Sequence, residues 1–373
     1  MQTVLIVDDD APLAEGLAAL LEQPGRRIIV CRELESAQLV VDVERIDVVV
    51  TDVRLSSPFR FEGLDFIRDA RRRMPAGTII LMSGALSTGM ADEARARGAS
   101  AVLEKPFAIA ELEALLPPPS DASEEGTTVL VPTLDEVIGG SLLTPVFQPI
   151  VDIDARPERA HGYESLARFH GEFFTNPALL FDYATRRGRL IELELACMKA
   201  TFAAGARLAE SARLFINVHP QTIATANLAE MVADAVANSG IAPQSVVLEI
   251  TEQGSLGPSS VVEEQCGALR ELGFSFALDD VGMAYSHLTH IEQIRPAYLK
   301  ISQEFGTDFE VHTARTKIVK NILSLARDFG CELILEGIES AATREAARDL
   351  GLRLCQGYFF ARPAPAGELE RER

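Results

Sequence analysis

The sequence predicts an α/β protein that consists of a doubly wound domain followed by a larger (β/α)8 barrel. At roughly 100–200 residues per domain, the 373 residues suffice for two or three domains. Short apolar runs alternate with amphipathic helical stretches, which is typical of parallel sheets covered by helices. Three prolines at 117–119 cannot continue a helix, and the Ser, Glu and Gly residues after them have little to bury. We therefore place the first domain at 1–116, a linker at 117–131 and the second domain at 132–366.

Composition and charge exclude several classes of protein. Apolar residues make up 47% and charged residues 24%, as in globular rather than disordered chains. No apolar stretch approaches the roughly 18 residues of a membrane span, and the start does not resemble a signal peptide. The five scattered cysteines form no CxxC pair, which favours a reducing cytoplasm. A net charge of -20 without a basic helix-turn-helix segment opposes DNA binding, so we expect a cytoplasmic protein with neither DNA nor membrane partners.

Five apolar runs rich in β-branched residues predict a parallel sheet in the first domain. They lie at 4–7, 28–30, 48–50, 78–82 and 101–103. Helix-length stretches such as 13–21 and 64–73 separate them, and this alternation predicts a doubly wound, flavodoxin-like fold. The ligand site of such a fold lies at the carboxyl ends of the strands.

Polar side chains follow these predicted strands. Asp8 and Asp9 come after the first run and Asp52 comes after the third. Three carboxylates at one edge repel one another unless a cation such as Mg²⁺ lies among them. Ser83 and Lys105, after the fourth and fifth runs, suit an anionic group on Asp52. The alternative, in which the aspartates only cap the following helices, does not explain the lysine at the same edge.

The first domain resembles the receiver domain of response regulators over its whole length. The resemblance implies that Asp52 accepts a phosphoryl group from a sensor histidine kinase. It also implies that Asp8 and Asp9 hold one Mg²⁺ and that the serine and lysine at this edge contact the phosphoryl group. Two departures are Val102, where the family usually has Tyr or Phe, and a longer loop at 56–61.

Eight strand-like runs predict a TIM-like (β/α)8 barrel in the second domain. They lie at 146–151, 162–169, 214–218, 246–251, 274–280, 298–301, 331–336 and 354–360. Amphipathic helices such as 192–208 and 317–329 join most of them. The active site of such a barrel lies at the C-terminal ends of its strands.

Charged and amide side chains stand at or near the ends of most of these runs. They are Glu164, Asn217, Glu249, Asp279, Asp280, Lys300, Glu336 and Glu339. A lone buried carboxylate costs several kcal/mol or becomes neutral, so this many carboxylates need positive charge. Oxygen ligands without sulfur or imidazole favour Mg²⁺ or Mn²⁺ over zinc. Each residue alone is also compatible with a helix cap, a turn or a surface ion pair, but their coincidence at one edge of the barrel favours a site.

The adjacent pair Asp279 and Asp280 suits two bridged metal ions roughly 3.5–4 Å apart, which activate water and stabilise the leaving oxygen of a phosphodiester. Lys300 would stabilise the charge that develops on the phosphate. A carboxylate such as Glu336 would take the proton.

The second domain resembles the EAL-domain family of cyclic di-GMP phosphodiesterases between residues 134 and 363. The motif that names the family reads Glu164-Ser165-Leu166-Ala167-Arg168. Further matches are Phe147-Gln148-Pro149-Ile150, Asn217-Val218-His219-Pro220, Glu249-Ile250-Thr251-Glu252, Leu278-Asp279-Asp280-Val281-Gly282, Lys300-Ile301-Ser302, Glu336-Gly337-Ile338-Glu339 and Gln356-Gly357-Tyr358.

The resemblance implies hydrolysis of cyclic di-GMP to linear pGpG with two Mg²⁺ or Mn²⁺ ions. The implied metal ligands are Glu164, Asn217, Glu249, Asp279, Asp280 and Glu339. The implied catalytic residues are Glu336 as general base, Lys300, Asp280, and Glu252, which holds the loop after Asp280. The implied substrate contacts are Gln148, Leu166, Arg168 and Gln356. That loop also forms part of the dimer interface in this family, so the resemblance implies a homodimer through the EAL domain.

The sequence leaves two functions open. The leading one is a two-component enzyme in which phosphorylation of Asp52 modulates cyclic di-GMP hydrolysis. The alternative is a weak or inactive EAL domain that acts as a cyclic di-GMP receptor or a protein-interaction scaffold. It rests on the loop 281–287, where Met283, Ala284 and His287 replace small or hydroxyl residues, and on Ser302. Alanine adopts a positive φ less readily than glycine, but the complete set of implied ligands favours the enzyme.

Overall fold

The computed structural model describes residues 1–55, 62–84, 88–119, 124–139, 142–251, 256–282 and 287–371. The chain separates into two compact units, which are considered individually. The first consists of Met1–Leu142 and Phe169–Leu190, and the second of Leu143–Arg168 and Ile191–Arg373. No helix of the described ranges is both long enough and apolar enough to cross a membrane.

The first unit contains a parallel six-stranded sheet in the order β5-β4-β3-β1-β2-β6. The strands are β1 (Gln2–Val7), β2 (Arg26–Cys31), β3 (Val48–Asp52), β4 (Thr78–Ser83), β5 (Ala101–Glu104) and β6 (Thr127–Leu130). The helices are α1 (Ala11–Leu21), α2 (Leu34–Val43), α3 (Glu62–Arg73), α4 (Thr88–Arg97), α5 (Ile109–Glu113), α6 (Leu134–Ile138) and α7 (Pro177–Arg186). All five predicted strands are present, and the predicted doubly wound fold is confirmed.

The sixth strand lies within the segment that the sequence predicted as a linker. β6 pairs in parallel with β2, from Thr127 opposite Arg27 to Leu130 opposite Val30. Its β-branched residues favour a strand, although the prolines and acidic residues before it suggested an unstructured connection. Part of the 117–131 segment therefore extends the sheet of the first unit.

The second unit is a closed barrel of eight strands, which confirms the predicted TIM-like barrel. The strands are β7 (Leu143–Asp152), β8 (Arg159–Phe169), β9 (Arg213–Val218), β10 (Val246–Thr251), β11 (Ser275–Val281), β12 (Tyr298–Ile301), β13 (Glu332–Leu335) and β14 (Leu354–Gln356). The helices are α8 (Leu190–Ala209), α9 (Pro220–Ile223), α10 (Leu228–Ala237), α11 (Ser259–Glu271), α12 (His287–Ile294), α13 (Gln303–Gly306), α14 (Thr313–Phe329), α15 (Ala341–Asp349) and α16 (Ala366–Leu369), with 3₁₀ turns at Pro243–Ser245 and Phe309–Val311.

The barrel differs from an all-parallel (β/α)8 barrel in the direction of its first strand. β7 runs antiparallel to β14, with Val151 opposite Cys355. Only residues 153–158 connect β7 to β8. Parallel neighbours need a crossover of about a dozen residues or more, so a connection this short cannot make one.

Apolar side chains from seven of the eight strands fill the barrel interior. They are Ile150, Phe215, Val247, Ala277, Tyr298, Ile334 and Leu354, and each is at most 3% exposed. The interior is therefore a packed core rather than a pore.

Gly63 lies where α3 meets the strand that carries Asp52. A Cβ atom at Gly63 would lie 2.1 Å from the Asp52 carbonyl oxygen and 3.0 Å from the Val53 Cα atom. Because both atoms belong to the backbone, Gly63→Ala should destabilise the first unit by about 1–3 kcal/mol. Differential scanning calorimetry of the full chain would show this as a lower unfolding temperature.

Gly16→Ala is the matched control for Gly63→Ala. Gly16 is exposed within α1, and no atom lies within 4 Å of a Cβ built on it. Alanine in a helix interior is favoured over glycine by about 0.5–1 kcal/mol, so this variant should unfold slightly later than the native chain. Equal unfolding temperatures for the two variants would contradict the packing argument.

Candidate functional site

The carboxyl ends of the strands in the first unit bring Lys105 between two aspartates. The Lys105 ammonium group lies 2.7 Å from Asp8 Oδ2 and 2.7 Å from Asp52 Oδ1. Asp8 is only 1% exposed, and this burial raises its pKa despite the hydrogen bond from Lys105. Burial alone would lower the pKa of Lys105, but its hydrogen bonds to the two carboxylates outweigh burial and raise it. The lysine therefore stays protonated and balances the paired carboxylates.

Helix capping does not account for these aspartates. The residue that caps α1 is Asp10, whose Oδ1 accepts a hydrogen bond from the Leu13 N–H at 3.1 Å. Asp8 Oδ1 accepts from the Asp10 N–H at 3.0 Å, and Asp52 Oδ2 accepts from the Arg54 N–H at 2.7 Å. These bonds fix two carboxylates at the sheet edge without satisfying the N-terminus of a helix.

The remaining predicted receiver residues lie at the same edge. Asp9 directly follows Asp8 and is exposed, although its partial burial raises its pKa. Ser83 ends β4 and is buried, and its carbonyl oxygen accepts a hydrogen bond from the Lys105 N–H at 2.8 Å. The loop at 56–61 lies outside the described residues.

The C-terminal ends of the barrel strands place one buried lysine among four carboxylates. Lys300 on β12 is completely buried. Its ammonium nitrogen lies 2.8 Å from Glu336 Oε1, 3.1 Å from Glu249 Oε1, 3.3 Å from Glu164 Oε2 and 3.6 Å from Asp279 Oδ1. These side chains come from positions that span the sequence from 164 to 336, and the barrel alone brings them together.

Four carboxylates around one ammonium group leave an excess of negative charge. Burial raises the pKa of Glu336 to about 8, and it raises the pKa of Glu249 well above its ordinary value. Burial also raises the pKa of Asp279. In contrast, the four carboxylates outweigh burial at Lys300 and raise its pKa well above the usual value. The lysine therefore remains charged, and part of the surrounding carboxylates holds protons unless further cations arrive.

A second set of contacts orients Glu164. Gln356 Nε2 donates to Glu164 Oε2 at 2.6 Å and to Gln148 Oε1 at 3.2 Å. Asn217 Nδ2 donates to Glu164 Oε1 at 3.2 Å. Burial by itself would raise the pKa of Glu164. The charge of Lys300 and the hydrogen bonds from the side-chain amides outweigh burial, so the net pKa is lowered. Glu164 is therefore held in its ionised form.

The adjacent aspartates lie at an irregularity of β11. The pairing of β11 with β12 changes register between Leu278 and Val281. Asp280 has a φ of 57°, a left-handed conformation that is uncommon outside glycine. Neighbouring side chains of a regular strand point to opposite faces, and a bulge interrupts that alternation. The irregularity thus interrupts the regular alternation at the Asp279–Asp280 pair, and Asp279 lines the cavity at the mouth of the barrel.

A cavity of about 220 Å³ opens beside these residues. Among the predicted residues it is lined by Gln148, Glu164, Leu166, Asp279, Glu336, Glu339 and Gln356. It is also lined by Gln303 and Tyr358, to which the sequence analysis gave no role. Gln303 follows Lys300 by three residues and begins α13, so its place just beyond a strand end was the signal that could have identified it.

Close backbone packing positions Glu336. A Cβ atom at Gly306, the last residue of α13, would lie 1.8 Å from the Glu336 carbonyl oxygen. Only glycine permits this approach of α13 to the end of β13. Ser302 caps the same helix, because its hydroxyl accepts a hydrogen bond from the Glu304 N–H at 3.5 Å.

The structure does not bring every predicted residue to the cavity. Arg168 is exposed, its Nη1 donates to the Ala167 carbonyl oxygen at 2.9 Å, and it lines a different, small cavity. Its role as a substrate contact stays a prediction. Glu252 and residues 283–286, which include Met283 and Ala284, lie outside the described residues.

The donor set at the barrel mouth has the chemistry of a divalent-cation site. Its oxygen atoms come from carboxylates and an amide, which suit Mg²⁺ or Mn²⁺. Within the described ranges, the buried atoms Glu249 Oε1 and Asp279 Oδ1 face the Lys300 ammonium nitrogen at 3.1 and 3.6 Å but accept no well-aligned hydrogen bond. No three His, Cys, Asp or Glu side chains of those ranges converge closely enough to hold a metal ion as they stand. The Lys300 ammonium group lies among these carboxylates.

Both domains of the chain match known protein families. Residues 4–117 match the model of the response regulator receiver domain, and residues 133–363 match that of the EAL domain. The chain is 26% identical to the cyclic di-GMP phosphodiesterase RocR of Pseudomonas aeruginosa, over 97% of this chain and 96% of RocR. It is 26% identical to the probable cyclic di-GMP phosphodiesterase PdeG of Escherichia coli, over 62% of this chain and 46% of PdeG.

Solved structures share the barrel fold. The PaMucR phosphodiesterase in its cyclic di-GMP complex has a TM-score of 0.56 and 23% identity, over 61% of this chain and 94% of that chain. Klebsiella pneumoniae BlrP1, in a complex with manganese and cyclic di-GMP, has a TM-score of 0.55 and 24% identity, over 62% of this chain and 58% of that chain. The chain therefore belongs to the EAL domain family, and it carries a response regulator receiver domain ahead of the EAL domain.

Proposed function

We propose that this protein hydrolyses cyclic di-GMP to linear pGpG with Mg²⁺ or Mn²⁺, and that phosphorylation of Asp52 modulates the reaction. The observation that carries the proposal is the buried Lys300 among four carboxylates at the mouth of an EAL-domain barrel. The names of RocR and PdeG, which are both phosphodiesterases of cyclic di-GMP, support the choice of substrate.

The oxygen donors around the cavity would hold two divalent cations. In this proposal Glu164, Asn217, Glu249 and Asp279 hold the first ion. Asp279 and Asp280 hold the second, and Glu339 supports the site. When bound, such ions lower the pKa of water and neutralise charge on the phosphate.

The chain itself would supply proton transfer and charge stabilisation. Glu336 is the proposed general base, and its pKa of about 8, raised by burial, lies near neutral pH, where proton transfer is most effective. Lys300 lies 2.8 Å from Glu336 and remains protonated, so it can bind the attacked phosphate. Gln148 and Gln356 are hydrogen-bonded to each other in the cavity wall and would orient the nucleotide.

The receiver site would accept the phosphoryl group of a sensor histidine kinase. Lys105 and the Arg54 N–H hold the buried Asp52 carboxylate at the carboxyl edge of the sheet. In this proposal Asp8 and Asp9 hold one Mg²⁺, and Lys105 and Ser83 contact the phosphoryl oxygens. A homodimer through the EAL domain and a cytoplasmic location, both expected from the sequence, belong to the same proposal.

Glu336→Gln tests the assignment of the general base. With Mn²⁺ and cyclic di-GMP, the native chain should release pGpG, and the variant should lose about 10²–10⁴-fold in rate, because glutamine cannot accept the proton. Anion-exchange chromatography of the reaction measures the product. Glu332→Gln is the matched control, since Glu332 begins β13 and pairs with Arg353, whereas Glu336 directly follows the other end of that strand.

The same assay separates the enzyme from the alternative function. If the native chain retains cyclic di-GMP in equilibrium dialysis but forms no pGpG, the protein is a receptor and the proposed hydrolysis is wrong. The site of Lys300 within the carboxylate cluster is what favours this alternative, because metal ions must compete with the ammonium group. Glu164→Ala should abolish any turnover that is observed.

The buried carboxylates predict that stability depends on pH when metal is absent. The folded-state pKa is about 8 for Glu336. It is about 7 for Glu194, a buried residue of α8 that accepts a hydrogen bond from the His219 N–H, and the ordinary value is 4.5 for both. Between these values the native state retains protons that the unfolded state has lost, so stability falls as pH rises from about 5 to 9. Scanning calorimetry in EDTA should show a decreasing unfolding temperature for the barrel.

Manganese should reverse this trend because the cations take the place of the protons. The rise in unfolding temperature on adding Mn²⁺ should be larger at pH 8.5 than at pH 6. Glu336→Gln should reduce the pH dependence in EDTA, since glutamine does not titrate, and Glu194 should leave a residual dependence. An unfolding temperature that stays constant over this range in the metal-free native chain would contradict the buried charge imbalance.

Asp52→Asn tests the proposed phosphorylation. A small phosphodonor such as acetyl phosphate should change the hydrolysis rate of the native chain, and it should leave the rate of the variant unchanged. Asp10→Asn is the control at the same sheet edge, because asparagine caps α1 as well as aspartate does. A response of Asp52→Asn equal to that of the native chain would exclude Asp52 as the acceptor.

A further inference from the structure

Three arginines after β8 pair with acidic residues of the first unit. Arg186 ends α7, Arg187 is its C-cap, and Arg189 follows Gly188. We call Arg186, Arg187 and Arg189 the basic run. α7 lies within the residues that match the EAL domain, yet it belongs to the same compact unit as the receiver sheet.

Arg187 binds the N-terminal end of α2. Its Nη2 lies 3.0 Å from Glu33 Oε1, and its Nη1 lies 3.2 Å from Glu35 Oε2. The three side chains are 25%, 14% and 22% exposed, respectively. Partly buried ion pairs are screened by salt less than fully exposed ones, so this contact holds its geometry better than a surface pair.

Asp42, near the other end of α2, joins two helices. Its Oδ1 lies 2.9 Å from Arg73 Nη2 on α3, and its Oδ2 lies 2.9 Å from Arg186 Nη2 on α7. One carboxylate therefore binds both helices, so a displacement of α3 would act on the group that binds α7.

The segment that precedes the barrel, around α6, binds the basic run and the N-terminal end of α2. Arg189 Nη1 lies 2.7 Å from Asp135 Oδ1, and Glu33 Oε2 accepts a hydrogen bond from the Leu134 N–H at 3.3 Å. Arg32 also pairs with Glu136. Both segments that flank the first two barrel strands in sequence are thus bound at α2.

This set of contacts is continuous with the phosphoacceptor. α3 meets the Asp52 backbone at Gly63, where a Cβ atom would lie 2.1 Å from the Asp52 carbonyl oxygen. From α3 the contacts lead through Asp42 to the basic run, and the chain before α7 leads back to β8 with Glu164.

We propose that the contact of the basic run with α2 transmits the state of Asp52 to the segment between β8 and α8, and so regulates the site on β8. This inference rests on the proposed function only for its consequence at the catalytic site. The structural alternative is that the ion pairs fasten α7 without responding to Asp52, since contiguity alone does not establish coupling.

The test measures amide hydrogen exchange in α7 of the full chain, with Mg²⁺, in the presence and absence of acetyl phosphate. This readout requires no hydrolysis, so a failure of the proposed catalytic function leaves it intact. The native chain should show a change in α7 exchange of about fivefold or more, the lower end of usual coupling between sites. Arg187→Glu should remove that change because it reverses the charge that faces Glu33 and Glu35.

Restoring the opposite charges should restore the response. The triple variant Glu33→Arg, Glu35→Arg and Arg187→Glu should again respond to acetyl phosphate. Arg207→Glu is the control, since Arg207 is 79% exposed on α8 and its ion pair, among the residues that the structure describes, is with Glu370 at 3.5 Å. If Arg187→Glu fails to fold, Arg187→Gln removes the charge without repulsion and serves in its place.

Two results would overturn the proposal. One is α7 exchange in the native chain that is identical with and without the phosphodonor while Asp52 is shown by mass spectrometry to be phosphorylated. The other is a response of Arg187→Glu equal to that of the native chain. If native hydrolysis responds to the phosphodonor while α7 does not, the proposed function stands and this route is wrong.

Discussion

The candidate site depends on one buried ammonium group that faces four carboxylates. Lys300 lies within 3.6 Å of all four, and the pairing is unequal in charge. The excess negative charge can be neutralised in two ways. Protons can bind the carboxylates, as the raised pKa values of Glu336 and Glu249 indicate, or divalent cations can bind there. The same imbalance therefore predicts that the metal-free site is more stable at low pH, and it gives the site the chemistry to bind metal.

The two units solve a similar electrostatic problem with the same geometry. In each, parallel strands direct carboxylates to one edge of a sheet, and a lysine at the end of another strand lies between them. The difference is burial: Lys105 is 22% exposed, whereas Lys300 is fully buried. A partly exposed lysine suits the proposed reversible binding of a phosphoryl group. A fully buried lysine suits chemistry that requires charges in fixed positions.

Local patterns predicted most of the fold, because β-branched runs and the polar residues after them depend on nearby sequence. The residues around Lys300 were predictable in this way. The antiparallel direction of β7 could also have been predicted, because the connection from β7 to β8 is too short for a crossover. The similarity of the strand pattern to an all-parallel barrel led to the wrong expectation. The bulge before Val281 and the pairing of Asp42 with Arg186 were not predictable, since both arise from tertiary contacts between distant segments.

The net charge of -20 adds a constraint that the site must overcome. A cyclic dinucleotide carries negative phosphates, and the field of an acidic protein opposes its approach. Lys300 is fully buried and already neutralised by carboxylates, so it cannot attract substrate from a distance. In the proposed function, the attraction must come from cations bound at the barrel mouth, which reverse the local potential. Metal occupancy would thus govern substrate binding as well as the chemical step.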